Sequence, residues 1–178
     1  RTAQDAPQGL SYVIGGDIGR ENDATAFCVV GRSSEGDAWI CELRTMRRAP
    51  FPEQFAVLSE LVQRYAPLRI VMDRTFNPQS TEDAQRAWPF LVEPFVFGAQ
   101  SKIDLIARAS AFFTAKRVQC PERNYQAINE IANIRKVISD AGNVQYKDKP
   151  HGDIGWACLL ALWGIHQGDD MAYVPLSL

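Results

Sequence analysis

The sequence predicts a mixed α/β fold in which three antiparallel strands come first, alternating helices and strands follow, and a β-hairpin is added near the end. Two observations predict it. The start of the chain contains β-rich runs separated by short polar segments that suit turns. Farther along, amphipathic runs with helical spacing alternate with short apolar runs, which is typical of a sheet covered by helices.

The first strands are predicted to form an antiparallel meander, because the polar segments IGREND and SSEGD that link them are short. The strands lie in the runs LSYVIGGD, ATAFCVVGR and AWICELRTMRR. A helix follows between two prolines, and the residues that define its inward face by helical spacing are Phe55, Leu58, Leu61, Val62 and Tyr65. The near-continuous apolar run LRIVMD is predicted to be the fourth strand.

Helices and strands alternate in the middle of the chain. A second helix is predicted in NPQSTEDAQRAW, a strand in FLVEPFVFG and a third helix in SKIDLIARASAFFTAKR. The residues predicted to face inward on the third helix are Ile103, Ile106, Ala107, Ala109 and Phe113. A fourth helix, from Tyr125 to Asn133, leads to a hairpin whose runs IRKVIS and VQYK flank a turn that contains Gly142. The last helix is predicted in HGDIGWACLLALWGIHQG, with its end near Gly168.

This order of elements is that of the ribonuclease H-like fold, a mixed sheet whose first and fourth strands are neighbours. In that fold Asp17 and Asp73 would end adjacent strands at one edge, and a helix that starts near Asp153 would bring a third carboxylate there. Taken singly, Asp17 also fits a turn residue and Asp153 a helix N-cap. Asp73 also fits an ion-pair partner of Arg74 or Arg69. Together, however, three crowded carboxylates repel one another unless a cation neutralises them.

Composition indicates one ordinary globular domain, since 46% of the 178 residues are apolar and 22% are charged. No apolar run approaches the roughly 20 residues of a membrane span, and no signal peptide is evident. We therefore expect a cytoplasmic protein. Residues 1–10 are polar and unpatterned and are predicted to be a linker from a longer chain, residues 11–168 to be the domain, and residues 169–178 to be a C-terminal tail.

Cysteines and charge narrow the chemistry further. The cysteines stand singly in apolar runs and are predicted to be reduced core residues rather than zinc ligands or disulfides; they are Cys28, Cys41, Cys120 and Cys158. The net charge of −2 does not attract nucleic acid to the chain as a whole. Residues 102–149, however, carry nine Lys/Arg against five Asp/Glu, whereas residues 1–101 carry ten against thirteen. A polyanion is expected to meet the second half.

Three motifs share their order and spacing with a known family. GGDIGRENDATAFCVV contains D-x-G, a second Asp six residues after the first, and a Thr-containing strand. LRIVMDRTFNP contains the acid of the fourth strand, and KPHGDIGWACLLAL has the spacing H-x-D-x-x-x-A-x-x-L-A-L. With FVFGAQSKIDLI and AINEIANIRKVI, these motifs resemble the nuclease domain of the large terminase subunit of tailed bacteriophages. The resemblance covers most of residues 11–168.

The resemblance implies a metal-dependent endonuclease that cuts double-stranded, concatemeric viral DNA during genome packaging. It implies that Asp17, Asp73 and Asp153 are catalytic metal ligands and that Asp23 joins them directly or through water, the alternative being a turn acid. Such carboxylates suit Mg²⁺ or Mn²⁺, and two ions can activate a water and stabilise the leaving oxygen. His151 is a candidate to orient Asp153, or else a surface histidine at a helix start.

The resemblance also implies partners: an N-terminal ATPase motor domain, a portal protein and a small terminase subunit, in the cytoplasm of the host cell and without a membrane. The phosphate loop G-x-x-x-x-G-K-[ST] of such a motor is missing, so we expect the chain to be the nuclease part alone. The basic hairpin is predicted to contact DNA phosphates, or else to be a solvated surface; its basic residues are Arg135, Lys136, Lys147 and Lys149.

Three other interpretations stay open. GGDIGRENDATAF loosely resembles the D-x-G-x-T phosphate loop of sugar kinases and actin-like ATPases, although VMDRTFN offers no second Asp-Gly loop. A Holliday-junction resolvase would share both the fold and the acids. A catalytically silent DNA-binding module is the third, and the intact acids argue against it.

Overall fold

The computed structural model describes residues 7–19, 24–75, 77–139, 142–147 and 152–167. Within these ranges the helices and strands follow the predicted order. In chain order they are β1 (Ser11–Asp17), β2 (Ala24–Arg32), β3 (Ala38–Arg47), α1 (Phe51–Tyr65), β4 (Arg69–Asp73), α2 (Pro78–Ala87), β5 (Val92–Phe95), α3 (Ala99–Thr114), β6 (Val118–Gln119), a short 3₁₀ helix (Glu122–Asn124), α4 (Tyr125–Asn133), β7 (Arg135–Ile138), β8 (Val144–Lys147) and α5 (Asp153–Gln167).

Six strands form one mixed sheet with the order β5-β4-β1-β2-β3-β6. Successive pairs among β1, β2 and β3 are antiparallel, whereas β4 lies parallel to β1 and β5 parallel to β4. The prediction that the first and fourth strands are neighbours is confirmed. β6, which pairs with the start of β3, was not predicted. Its two residues, Val118 and Gln119, are too few to show an alternating pattern.

The helices on either side of β4 end and begin at recognisable signals. α1 ends at Tyr65, and its C-cap residue, Ala66, has a left-handed φ of 42° and is followed by Pro67 before the strand starts. After the strand, α2 begins with Pro78 behind the N-cap residue Asn77, whose side chain accepts a hydrogen bond from the backbone N–H of Ser80. Only residues 74–77 lie between β4 and α2.

The sheet separates two apolar cores, because side chains alternate between its faces along each strand. One face packs mainly against α5, and its buried strand residues include Val13, Ala26, Cys28, Val30 and Val71. The other face packs against α1 and α2, and its buried strand residues include Ile14, Phe27, Val29, Ile70 and Met72. The predicted inward face of α1 is confirmed at Leu58 and Leu61, which are fully buried.

The inward face of α3 differs from the prediction. The buried residues have the spacing of a single helical stripe and are Leu105, Ala109 and Phe112. Among the predicted residues, Ala109 is buried, Ile103, Ile106 and Phe113 are half-buried, and Ala107 is exposed. The prediction is confirmed at Ala109 and in part at Ile106 and Phe113, which pack against the core from the flanks of this stripe, and it is wrong at the exposed Ala107. Contact with α5 selects the buried face of α3. The spacing of apolar residues within α3 carries no information about that contact.

α5 lies directly on β1. A Cβ atom at Gly15 would lie 1.9 Å from the carbonyl oxygen of Ala157, so only glycine permits this approach. A Cβ atom at Gly164 would lie 2.6 Å from Cγ1 of Val13. Because the later helix residue lies over the earlier strand residue, α5 runs antiparallel to β1. Its first residue, Asp153, therefore lies toward the end of β1.

The predicted β-hairpin is confirmed as a separate two-stranded sheet of β7 and β8. Gly142 in its turn has a φ of 79°, a conformation that favours glycine. Tyr146 of β8 packs against the core that contains α5, so β8 attaches the hairpin to the domain.

The cysteines are free, as predicted, and two of them, Cys28 and Cys158, are fully buried. Burial raises the pKa of the Cys28 thiol well above its ordinary value. Among the helices within the described ranges, none combines the length and the hydropathy that crossing a membrane requires.

Candidate active site

β1 and β4 end side by side, and each ends with an aspartate. In the parallel pairing Gly16 lies opposite Met72, and the next residues along the two strands are Asp17 and Asp73. Neighbouring strands are about 4.8 Å apart, so the two side chains start from adjacent positions on the sheet.

Both aspartates are on the face of the sheet that α5 covers. Alternation along β1 gives Asp17 the same face as Val13, and alternation along β4 gives Asp73 the same face as Val71. Val13 and Val71 belong to the core that packs against α5. The two carboxyl groups therefore lie at the margin of that core, where β1 and β4 end.

The start of α5 lies near the same margin. Ala157 lies over Gly15, and Asp153 precedes Ala157 by four residues, or about 6 Å along the helix. Asp17 follows Gly15 by two residues, or about 7 Å along the strand. Because the helix runs antiparallel to the strand, Asp153 and Asp17 reach a similar level. The ends of β1 and β4 and the start of α5 thus each place one aspartate at the same edge of the sheet.

The Asp73 side chain is held in a defined orientation and is nearly inaccessible to solvent, with 2% of the residue exposed. Its Oδ1 accepts hydrogen bonds from the backbone N–H of Thr75, at 2.8 Å, and from the Thr75 hydroxyl. The Thr75 hydroxyl oxygen accepts in turn from the backbone N–H of Phe97, at 2.8 Å. Burial raises the pKa of Asp73 above its ordinary value of 3.8, although the Thr75 hydrogen bonds and the charge of Lys102 act in the opposite direction.

The structure removes the ion-pair interpretation of Asp73. Arg69 pairs with Glu93 at 2.8 Å, and Arg74 pairs with Glu82 at 3.1 Å. Among the described residues no arginine or lysine forms an ion pair with Asp73, and its Oδ2 accepts no hydrogen bond. A buried carboxylate with one oxygen available is costly unless a cation or another donor reaches it.

The start of the loop after Asp17 is held by the neighbouring strand. The backbone N–H of Gly19 donates to the hydroxyl of Thr25, at 3.0 Å, and Thr25 is fully buried on β2. The threonine of the first motif therefore has a structural role beside the acid. Asp17 itself is half-buried and has an interaction partner.

Asp153 is the first residue of α5 rather than the residue before it, so the predicted N-cap position belongs to Gly152. Glu130 of α4 supplies a cap instead, since its Oε2 accepts a hydrogen bond from the backbone N–H of Gly155 at 2.9 Å. Sequence reasoning missed Glu130, because no local pattern connects it with a helix that begins 23 residues later. Asp153 is half-buried and has an interaction partner.

The chemistry of these side chains fits a hard divalent cation. Aspartate oxygens are the ligands that Mg²⁺ and Mn²⁺ prefer, and a cation would offset the cost of the buried Asp73 carboxylate. Asp23, His151 and Lys149, which were also predicted for the site or its surroundings, lie outside the described residues. Within the described ranges, no three carboxylate, imidazole or thiolate side chains are arranged to hold a metal ion. The metal-binding roles therefore stay a prediction.

The basic residues of the hairpin divide between its two faces. Arg135 pairs with Lys147 across the strands, so these two cations lie together. Lys136 pairs with Tyr146, whose ring packs against the core, and thus lies on the other face. All three basic residues are exposed. Arg135 and Lys147 are therefore the described hairpin residues best placed to meet a polyanion together.

A family model described as the terminase RNaseH-like domain matches residues 14–163. The matched range includes Asp17, Asp73 and Asp153 and extends from β1 to α5. No curated protein matches the chain.

Solved structures share this fold. The large terminase nuclease of the thermophilic phage G20c with bound magnesium is 23% identical, with a TM-score of 0.76, and the match covers 90% of this chain and 84% of that one. The large terminase nuclease domain of Thermus phage P74-26 is 23% identical, with a TM-score of 0.72 and coverage of 89% and 81%. The large terminase of bacteriophage HK97 is 14% identical, with a TM-score of 0.69, and this chain covers 41% of it while 92% of this chain is matched. The G20c nuclease is also known with bound cobalt and with bound zinc.

Neutralising Asp73 is expected to stabilise the metal-free protein. The raised pKa means that the folded protein loses free energy of folding as the carboxyl ionises, above about pH 4, and the loss is complete once the pH exceeds the folded pKa. Asp73→Asn should therefore raise the Tm by a few degrees near pH 7 in EDTA, with no gain below about pH 4. Thermal unfolding across a pH series measures this.

The matched control is Asp104→Asn, which removes one exposed carboxylate from α3 and should leave the Tm unchanged. A lower Tm for Asp73→Asn at pH 7 would mean that the ionised carboxylate holds the Thr75 turn together. The interpretation of Asp73 as a buried acid whose charge destabilises the metal-free protein would then be wrong.

Proposed function

Because this chain belongs to the family of terminase RNaseH-like domains, we propose that it is a metal-dependent endonuclease that hydrolyses phosphodiester bonds of double-stranded DNA. One observation carries the proposal. β1 and β4 end in aspartates at adjacent positions, on the face where α5 begins with a third aspartate. These segments are far apart in the sequence, and a purely structural role does not require all three to have the same chemistry.

Asp17, Asp73 and Asp153, with Asp23, are the proposed ligands of two divalent ions, Mg²⁺ or Mn²⁺. When bound between such ligands, two ions supply a more acidic water and offset the charge on the leaving oxygen. The chain itself supplies orientation. The Thr75 hydrogen bonds hold Asp73, and the backbone contact between α5 and Gly15 limits movement of Asp153. His151 is proposed to orient Asp153.

The proposed substrate is concatemeric viral DNA, which is cut when packaging into the capsid begins or ends. The HK97 relative is a large terminase, and this chain corresponds to less than half of it. We propose that an ATPase motor domain, a portal protein and a small terminase subunit act with this domain in the cytoplasm of the host cell. The net charge of −2 is consistent with a nuclease that relies on partners to hold DNA nearby.

The hairpin is the proposed DNA track. Phosphate contacts position a duplex without reading its bases, which suits a nuclease with little sequence preference. Arg135 and Lys147 lie opposite each other on one exposed face of the hairpin. We include Lys149 in the track because it follows Lys147 closely in the sequence, and Lys136, which lies on the other face, as an exposed cation at the edge of the track.

Metal-dependent cutting of plasmid DNA tests the proposed function. We expect supercoiled plasmid to be nicked and linearised in Mn²⁺ or Mg²⁺ and to stay intact in EDTA. Asp17→Ala should lower the rate about 100-fold or more, since several kcal/mol of charge stabilisation are lost. Asp37→Ala is the matched control, because Asp37 lies in the β2–β3 turn at the opposite end of the sheet. Gel electrophoresis over a time course measures the rates.

Cutting that persists in EDTA, or in Asp17→Ala, would contradict the proposed function. A much faster reaction on a four-way junction than on a linear duplex would instead favour the resolvase interpretation. ATP hydrolysis that is lost in Asp17→Ala would favour the sugar-kinase or actin-like ATPase interpretation.

Removing two hairpin lysines should weaken DNA binding and its salt dependence. Each lost phosphate contact lowers the slope of log affinity against log salt by about one unit, so Lys147→Ala/Lys149→Ala should lower it by about two. The matched control is Lys116→Ala/Arg117→Ala, which removes two exposed charges after α3. Fluorescence anisotropy with a labelled duplex over a salt series measures both. If the lysine pair can be removed with no change in affinity or slope, the DNA track lies elsewhere.

A further inference from the structure

The ammonium group of Lys102 lies over two aromatic rings that contact each other. Its Nζ lies 4.6 Å from the ring centroid of Trp156 and 5.3 Å from that of Phe97. The two rings also contact each other edge to face, with their centroids 5.2 Å apart. Both ring distances are within the range of cation–π attraction, which limits the positions that a long lysine side chain adopts.

Both rings are connected to the aspartate-bearing edge. The backbone N–H of Phe97 donates to the Thr75 hydroxyl, which donates to Asp73. Trp156 follows Asp153 by three residues on α5, so the two lie about one helical turn apart. Lys102 is on the first turn of α3, directly after β5, whose end pairs with Asp73. The rings thus fix the ammonium group beside the proposed active site.

The ammonium group has hydrogen-bonding capacity to spare. A lysine carries three N–H donors, yet no hydrogen bond or ion pair among the described residues involves the Lys102 Nζ. Asp104, the acid nearest to it on α3, accepts a hydrogen bond from Gln100 instead. A lysine whose only role was to neutralise Asp73 would be expected to form an ion pair with it. Aromatic contacts hold this one in place and leave its donors available.

We propose that Lys102 binds a phosphate group of the DNA strand at the aspartate edge. The inference rests on the proposed function, because it explains how a negatively charged DNA phosphate can approach the aspartates of that site. Carboxylates repel an approaching phosphodiester, and a fixed cation at their margin offsets that repulsion locally. Lysine binds phosphate as a point charge, so its placement by Phe97 and Trp156 decides where the strand lies.

A second cation–π pair joins the same two helices farther from the aspartates. Arg108 of α3 lies 4.0 Å from the ring centroid of Trp163 on α5. Both partners are about two turns farther along their helices than Lys102 and Trp156. The Nη1 atom of Arg108 is buried, whereas a phosphate-binding cation must be reachable. Arg108 therefore provides a matched comparison that has the packing role without the proposed contact.

Three variants test the inference: Lys102→Met, Lys102→Arg and Arg108→Met. Duplex affinity is measured over a salt series in EDTA, and cutting rates are measured separately in Mn²⁺. Lys102→Met should bind about tenfold more weakly at moderate salt, and its salt slope should fall by about one unit. Lys102→Arg should restore most of the affinity. Arg108→Met should lower only the Tm. Lys102→Gln, which is also neutral, replaces Lys102→Met if that variant aggregates.

If the neutral Lys102 variants bind DNA with unchanged affinity and unchanged salt slope, whether or not their Tm is lower, Lys102 has only a packing role. That result would overturn the inference. The same holds if the unchanged protein does not bind duplex DNA. Failure of the proposed function has a different signature, because the unchanged protein would then bind but not cut in Mn²⁺. A loss of binding in Lys102→Met would still be measured in that case.

Discussion

The contact between α5 and β1 determines the geometry of the candidate site. At Gly15 the strand and the helix approach so closely that a Cβ atom would lie 1.9 Å from a helix carbonyl oxygen. Packed protein interiors do not yield to such an overlap without moving an element. α5 is buried along nearly its whole length, with β1, β2 and β4 on one side and α3 and α4 on the other. A helix confined in this way delivers its first residue, Asp153, to a fixed place beside the ends of β1 and β4.

The electrostatics of this edge differ from those of the rest of the sheet. The described acids elsewhere on its strands pair with arginines: Glu42 with Arg64 at 2.9 Å and Glu93 with Arg69 at 2.8 Å. Asp73 has only hydrogen bonds from the Thr75 turn among the described residues, and burial raises its pKa. A buried carboxylate and an aromatic-held lysine at one edge of the sheet are consistent with a site that meets both cations and phosphate.

Much of the fold follows from local patterns in the sequence. The strands of the meander, the helices between prolines and the hairpin around Gly142 have their own periodicity or turn residues, so each could be predicted. The neighbouring positions of Asp17 and Asp73 followed from the match between the order of the elements and that of the ribonuclease H-like fold. What failed depended on tertiary contacts: the two residues of β6 have no readable pattern, and the buried stripe of α3 is selected by α5. Lys102 and Glu130 gain their roles from Trp156 and Gly155, which lie far away in the chain. No spacing rule connects such residues.

We propose that the edge formed by β1, β4 and α5 binds the divalent ions used for hydrolysis. The most direct measurement is the anomalous scattering of a crystal soaked in manganese. We expect two peaks about 3.5–4 Å apart, bounded by carboxylate oxygens of Asp17, Asp73 and Asp153. A manganese-soaked crystal with no ion at this edge, or with ions only at other surface carboxylates, would contradict it.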